Sequence, residues 1–161
     1  MQKISPFLWF DHQAEEAAKF YVSVFKNSKI VTVNRYSKAS AEASGRPEGS
    51  VMVVSFQLNG QDFTALNGGP MFTFTPAISL VANCDTQAEV DHLWATLSAG
   101  GQPGQCGWLT DKFGVSWQIV PTALAALMQN GNPAKAAKVI DALMPMTKID
   151  IATLQRAYEE G

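Results

Sequence analysis

The chain has 161 residues, 47% of them hydrophobic and only 16% charged, and a formal net charge of −2. That length suits one ordinary domain or two small half-domains, and with no run of Lys or Arg there is no footprint for a nucleic-acid backbone or an anionic membrane, so neither partner is expected. So little charge, against about 25% in typical soluble proteins, points to surface buried between copies, and a homodimer is the expectation.

The opening Met1–Pro6 lacks the apolar core of a signal peptide, and no stretch approaches the ~18 uninterrupted apolar residues that span a bilayer. A cytoplasmic setting is expected. Cys84 and Cys106 form no CxxC pair, so both read as reduced thiols.

In chain order, Ile4–Phe10 is a short apolar run and reads as a strand. Asp11 is the expected N-cap of a helix to about Lys26, with Glu15 and Glu16 in its first turn and Ala14, Ala17, Ala18, Tyr21, Val24 and Phe25 at helical spacing. Lys29–Tyr36 has the pattern of a strand. Ser37–Gly49, rich in Ala, Ser, Glu, Gly and Pro, predicts a mobile irregular loop, either a lid or a solvated connection. Ser50–Leu58 and Asp62–Leu66 pair across Asn59-Gly60, a strong hairpin signal. In Asn67-Gly68-Gly69-Pro70 the glycines permit close backbone approach or positive φ, but no phosphate loop, since no Lys-Ser/Thr helix start follows.

Ala77–Cys84 is another apolar strand, and Thr86 with Glu89 has capping-box spacing before a helix with Val90, Leu93, Trp94 and Leu97 as its buried stripe. Gly100-Gly101 stops that helix. Gln105–Pro121 then reads as strand, tight turn, strand, with Val115, Trp117 and Ile119 on a core face and Ser116, Gln118 and Val120 on a mixed face suited to a semi-polar cavity. Beyond Pro121 only helical patterns appear: Ala123–Gln129 capped by Thr122, Ala134–Leu143 and Ile149–Tyr158. This Met-, Ala- and Leu-rich tail reads as a packing or dimerisation element.

Asp11-His12-Gln13-Ala14-Glu15 recurs as Asp85-Thr86-Gln87-Ala88-Glu89, 74 residues on (85 − 11), each time after an apolar strand and opening a helix. Agreement with the strand–helix–strands order on both sides marks a duplicated βαβββ unit. The expected fold is α+β: residues 1–121 hold two βαβββ units (about 1–70 and 77–121) forming a curved mixed sheet with a concave face, and 122–161 form a C-terminal helical extension of the same domain.

Ile4-Ser5-Pro6-Phe7-Leu8-Trp9-Phe10-Asp11, the helix from Ala14-Glu15-Glu16-Ala17 to Phe20-Tyr21, Thr64–Pro70, and Cys106-Gly107-Trp108 with Trp117–Pro121 closely resemble the PhnB-like family over nearly the whole chain. That family lies in the glyoxalase/bleomycin-resistance/dioxygenase (vicinal oxygen chelate) superfamily, and many members carry the label 3-demethylubiquinone-9 3-methyltransferase. Methyl transfer on a doubly wound sheet needs a glycine-rich turn after the first strand, and Trp9-Phe10-Asp11-His12-Gln13 has no glycine.

The resemblance also implies where metal-dependent members hold a divalent ion: His, Glu or Gln from the first and last strands of each unit. The matching places here fall near Pro6–Leu8, Ala65–Asn67, Ile78–Ser79 and Gln118, and only Gln118 is a plausible ligand. His12 and His92 fall elsewhere, in surface or capping positions. No metal and no organic cofactor are therefore expected.

Three readings stand side by side. The first is a metal-free small-molecule binding protein with Trp9, Asn67, Ser79, Trp108, Ser116 and Gln118 lining its cavity. The second is an enzyme of the superfamily, either metal-assisted (lyase, isomerase, dioxygenase), the labelled methyltransferase, or metal-free with Asp62, Asp111 or a cysteine as acid or base. The third is an interaction protein whose cavity is packed shut. No catalytic residue is assigned from the sequence.

Overall fold

A computed structural model describes residues 2–161 and divides the chain into two compact units, the first ending at Phe74 and the second running from Thr75 to Gly161. The first contains β1 (Phe7–Phe10), α1 (Ala14–Val24), β2 (Lys29–Arg35), α2 (Lys38–Ser44), β3 (Val51–Leu58) and β4 (Gln61–Asn67). Its four strands lie in the order β1-β4-β3-β2, with β1 parallel to β4 and the other pairs antiparallel.

The β3–β4 hairpin turns on Asn59 (φ 49°) and Gly60 (φ 79°), the two positive φ values that a two-residue turn matching strand twist requires. The turn fixes the register, so Val54, Phe56, Leu58, Phe63 and Ala65 face the core together. Against them α1 buries Ala14, Ala17, Ala18 and Tyr21 completely; three alanines let the helix approach, and the Phe56 ring stacks on Phe63 at 5.4 Å.

Tertiary structure overrides two local expectations in this unit. Asp11 does not cap α1. The N-cap residue is Gln13, which makes no side-chain bond, and the cap comes from β4 instead: Asn67 Oδ1 accepts from Ala14 N–H at 2.8 Å while its Nδ2 donates to the Val51 carbonyl at 3.1 Å. Nor is Ser37–Gly49 irregular throughout, since it contains α2. Ser37 Oγ accepts from Ser40 N–H and Ser40 Oγ accepts from Ser37 N–H, a capping box built from two serines, and Gly45 closes the helix at φ 74°.

The second unit holds β5 (Leu80–Cys84), α3 (Gln87–Ser98), β6 (Gln102–Pro103), β7 (Trp108–Thr110) and β8 (Ser116–Pro121), with strand order β5-β8-β7-β6 and β5 parallel to β8. Its connectivity repeats that of the first unit, as the duplicated motif predicts. Each unit has its own four-stranded sheet. Thr86 caps α3 by accepting from Glu89 N–H, but the Glu89 carboxylate accepts from Asp85 N–H, one residue earlier than a capping box places it. Trp94, expected in the buried stripe with Val90, Leu93 and Leu97, is half-exposed.

The β7–β8 turn is organised by Asp111, 2% exposed. Its Oδ1 accepts from Phe113 N–H (2.8 Å) and Val115 N–H (3.1 Å), and its Oδ2 from the Trp117 indole N–H (2.9 Å). A carboxylate saturated in this way is an architectural group.

The tail forms α4 (Thr122–Met128), α5 (Pro133–Leu143) and α6 (Ile151–Glu160). Thr122, expected as a cap, is instead the first helical residue, and its hydroxyl donates to Asp85 Oδ1. Val139, Ile149 and Leu154 make a separate small core, joined by Leu124, Leu127, Leu143, Met146 and Tyr158. Backbone bonds tie it to the sheet: Cys106 N–H donates to Met146 O (2.7 Å) and Gly107 N–H to Thr147 O (2.8 Å). A Cβ on Gly107 would meet the Ile119 carbonyl and Ile149 Cδ1, each at 2.8 Å, so this contact requires glycine. The Gln87 amide pairs with both Ile149 O and Ile151 N–H, and Lys148 Nζ lies 2.8 Å from Asp91 Oδ1.

Two measurements check this description. Asn67→Ala leaves the Ala14 N–H buried and unsatisfied, and denaturant titration should show a loss of about 1–3 kcal/mol. Burial, with help from Glu89 and Asp85, pushes the Cys84 thiol up to about 11. The folded state thus keeps the proton that the unfolded chain releases first, so this group's stability contribution is whole below a free thiol's range and is lost as pH rises toward 11. Cys84 should accordingly resist alkylation in the native protein at pH 8 and react on unfolding; fast native labelling would contradict its burial.

Candidate ligand-binding face

In each unit the helix after the first strand, α1 or α3, covers one side of the sheet, and side chains of the opposite parity point to the other side. In the second unit that side carries a row across β5, β8 and β7, since Val81 lies opposite Gln118 and Gln118 opposite Trp108. The next row pairs Ser116 with Thr110. Gln118 Nε2 donates to Ser79 Oγ at 2.9 Å, just before β5 begins. Val81 is 51% exposed, Trp108 and Gln118 are half-buried and Ser116 is 3% exposed. The side chains therefore offer an indole face, a free amide oxygen on Gln118 and a serine hydroxyl whose proton is uncommitted.

In the first unit the corresponding side carries Phe7 (60% exposed) beside Thr64 and Ser55, and Trp9 beside Leu66 and Val53. Trp9 is held firmly. Its Nε1 donates to the Gly69 carbonyl at 2.9 Å, Phe72 meets its ring edge-on at 5.0 Å, and the ring lies so close over Gly68 that a Cβ there would stand 2.3 Å from Cζ2. Both uses expected of the glycine pair occur, close approach at Gly68 and positive φ (94°) at Gly69.

Of the residues expected to line a cavity, Ser79, Trp108, Ser116 and Gln118 share one face of the second sheet, and Trp9 lies on the matching face of the first. Asn67 does not join them. It is 7% exposed on the α1 side, with its amide fully spent on Ala14 and Val51. Val81, Thr110, Phe7 and Thr64 went unrecognised as face residues, although alternation along their strands carried the signal.

The acid–base candidates are all engaged in the fold. Asp62 takes a hydrogen bond from Gln57 Nε2 (2.7 Å) and one from Gln2 N–H (3.1 Å), which hold its carboxyl below the usual range. It is thus an anion at neutral pH, unsuited to donating a proton. Asp111 is saturated, Cys84 is buried, and Cys106 Sγ points to the Leu143 and Met144 carbonyls.

Strand register also locates the positions at which a superfamily metal would be held. Phe7 pairs with Thr64 as Val81 pairs with Gln118, so the counterpart of Gln118 is Thr64 and not the expected Ala65–Asn67 stretch. Neither row fits a divalent transition ion, which takes imidazole, carboxylate or thiolate donors: Phe7 and Thr64 offer a phenyl ring and a hydroxyl, Val81 and Gln118 an isopropyl group and an amide. His12 and His92 are exposed, and among the described residues no three His, Cys, Asp or Glu side chains are grouped to hold an ion.

The family model described as 3-demethylubiquinone-9 3-methyltransferase matches residues 2–120. A solved structure from Bacillus cereus, described as a putative 3-demethylubiquinone-9 3-methyltransferase, PhnB protein, is 39% identical, with 75% of this chain and all of that chain aligned at a TM-score of 0.67. Protein PA1353 from Pseudomonas aeruginosa is 20% identical over 75% of this chain and 98% of its own, TM-score 0.60. The fosfomycin resistance protein FosX from Listeria monocytogenes, solved with Mn(II) and sulfate, shares 12% identity over 86% of this chain and 98% of its own, TM-score 0.51, a likeness of fold alone. Among proteins with curated descriptions none matches in sequence. None of the described helices is long and apolar enough to cross a membrane. The family model and the Bacillus cereus match together show that the chain belongs to the PhnB-like family, which carries the description 3-demethylubiquinone-9 3-methyltransferase.

Proposed function

We propose that this protein binds a small organic molecule on the bare face of its sheets, without a transition metal, and that it does so as a cytoplasmic homodimer. The observation that carries the reading is the Gln118–Ser79 pair, a polar anchor with an unspent acceptor and donor set among Trp108 and Val81. Such a mixture, apolar surface with a few oriented polar groups, is what ligand sites are made of. Ser116 would add a second hydroxyl there, Trp9 would offer an indole on the first unit's own bare face, and Asn67 would act only by placing α1. The exposure of Ile4, Phe7, Met71, Phe72 and Ile78 in a chain so poor in charge supports a second copy as the cover for that surface.

Methyl transfer is not part of this reading. The family name carries it, but strand one lacks the glycine-rich turn, and the mixed sheets lack the crossover order of a doubly wound fold.

The test joins metal analysis of the purified protein to thermal shifts with divalent ions and a panel of small metabolites. A melting-temperature rise from an organic compound alone is the expected result; stoichiometric zinc, nickel, manganese or iron would overturn the metal-free reading. Gln118→Ala should abolish most of that rise at a stability cost of about 1 kcal/mol, one hydrogen bond. Trp117→Ala, on the core side and bonded to Asp111, should cost about 3–5 kcal/mol. Equal losses from the two substitutions would show that Gln118 is core and not site.

A further inference from the structure

The connection between β2 and β3 builds a second concavity in the first unit, on the side that faces α1. It is open to solvent, holds about 350 Å³ and is lined by His12, Glu15, Glu16, Arg46, Ser50 and Asn67, among others. Its outer wall is fixed: Tyr36 N–H donates to Ser50 O (2.9 Å), Gly49 N–H to Tyr36 O (2.8 Å), and the Tyr36 hydroxyl to Asn67 O (2.6 Å). The volume lies at the lower end of those that hold small ligands.

Charge decides what fits. The Arg46 guanidinium is underused by the protein: Nη2 donates to the Asp11 carbonyl at 3.3 Å, the Asp11 carboxylate is 4.0 Å from Nη1, and Nε is shut off from water with no acceptor. The side chain is 23% exposed, so its Nη groups, which hold only long contacts to Asp11, are open to a carboxylate that would add charge-assisted bonds there. On α1, Glu15 pairs with Lys19 at 3.1 Å, whereas the exposed Glu16 makes neither ion pair nor hydrogen bond among the described residues. Asp11, Glu15 and Glu16 together outweigh Arg46 and Lys19 by one negative charge. That balance disfavours a dianion such as phosphate and favours a ligand that carries its own cation. The Ser50 hydroxyl donates to Pro47 O, so towards a ligand it can only accept, as an ammonium requires.

We propose that this cavity is a binding site for a small zwitterion of the α-amino-acid type, with its carboxylate on Arg46 and its ammonium on Glu16 and Ser50. The site is separate from the bare sheet face and stands or falls independently of it.

The experiment is a titration of the isotope-labelled full chain, followed through its amide resonances, with a panel of free α-amino acids and with methylamine, acetate and inorganic phosphate as partial probes. At least one amino acid should give saturable shifts confined to residues 12–16 and 46–51, and the partial probes should bind at least about tenfold more weakly. Arg46→Gln and Glu16→Gln should each weaken the amino acid by about tenfold or more, as loss of a charge-assisted bond does. Because Glu16 has no partner among the described residues, its substitution keeps the test valid even if Arg46→Gln unfolds the loop. Three results overturn the proposal: no saturable amino acid, acetate or phosphate binding as well as the amino acid, or unchanged binding in Glu16→Gln.

Discussion

The helix after the first strand of each unit, α1 or α3, packs on one face of its four-stranded sheet, and the proposed function rests on the other face. Ala14, Ala17, Ala18 and Tyr21 from α1, and Val90, Leu93 and Leu97 from α3, cover one side of their sheets. On the other side Phe7 and Val81 are more than half exposed. Apolar area left in water forgoes about 25 cal/mol per Å² of burial, so a face of this kind persists only where a ligand or a further copy of the chain has use for it.

Placing the first strand parallel to the last is the second constraint. It brings residues distant in sequence into one row, Val81 beside Gln118 and Phe7 beside Thr64, and so decides which side chains share a neighbourhood. In this chain these rows supply hydrocarbon, hydroxyl and amide. On the reading proposed above, such rows suit recognition by stacking and hydrogen bonds. Rigidity around the rows comes from groups that touch no ligand face. Asp111 closes the β7–β8 turn with three N–H bonds, and the glycine at position 68 lets the Trp9 ring clamp down on the backbone.

The helical tail lies beyond the matched family region, which ends at residue 120. Its attachment does not rely on apolar contact alone. The Cys106-Gly107 turn, with φ values of 56° and 85°, presents two successive N–H groups to Met146 and Thr147, while Gln87 imitates a strand partner for Ile149 and Ile151. Backbone bonds of this sort set orientation as well as affinity, so α4–α6 form a fixed part of the second unit.

Local pattern was enough for most strands and the main helices, the Asn59-Gly60 hairpin, the duplicated βαβββ order and the two faces of β8, because periodicity and turn chemistry act over a few residues, but it missed β6 and began the strand before β8 three residues early. Composition misled at Ser37–Gly49, where a serine pair and Gly45 cap a helix that no hydrophobic stripe announces. What lay beyond the sequence were relations between strands. Asn67 reads as a residue of the bare face until β4 is seen to deliver its amide to the start of α1. Thr64 is recognisable as the counterpart of Gln118 only once β1 and β4 are in register, and Arg46 as a cavity wall only once its loop has folded back on Asp11. Such placements depend on contacts between residues tens of positions apart, and only the closed sheet determines them.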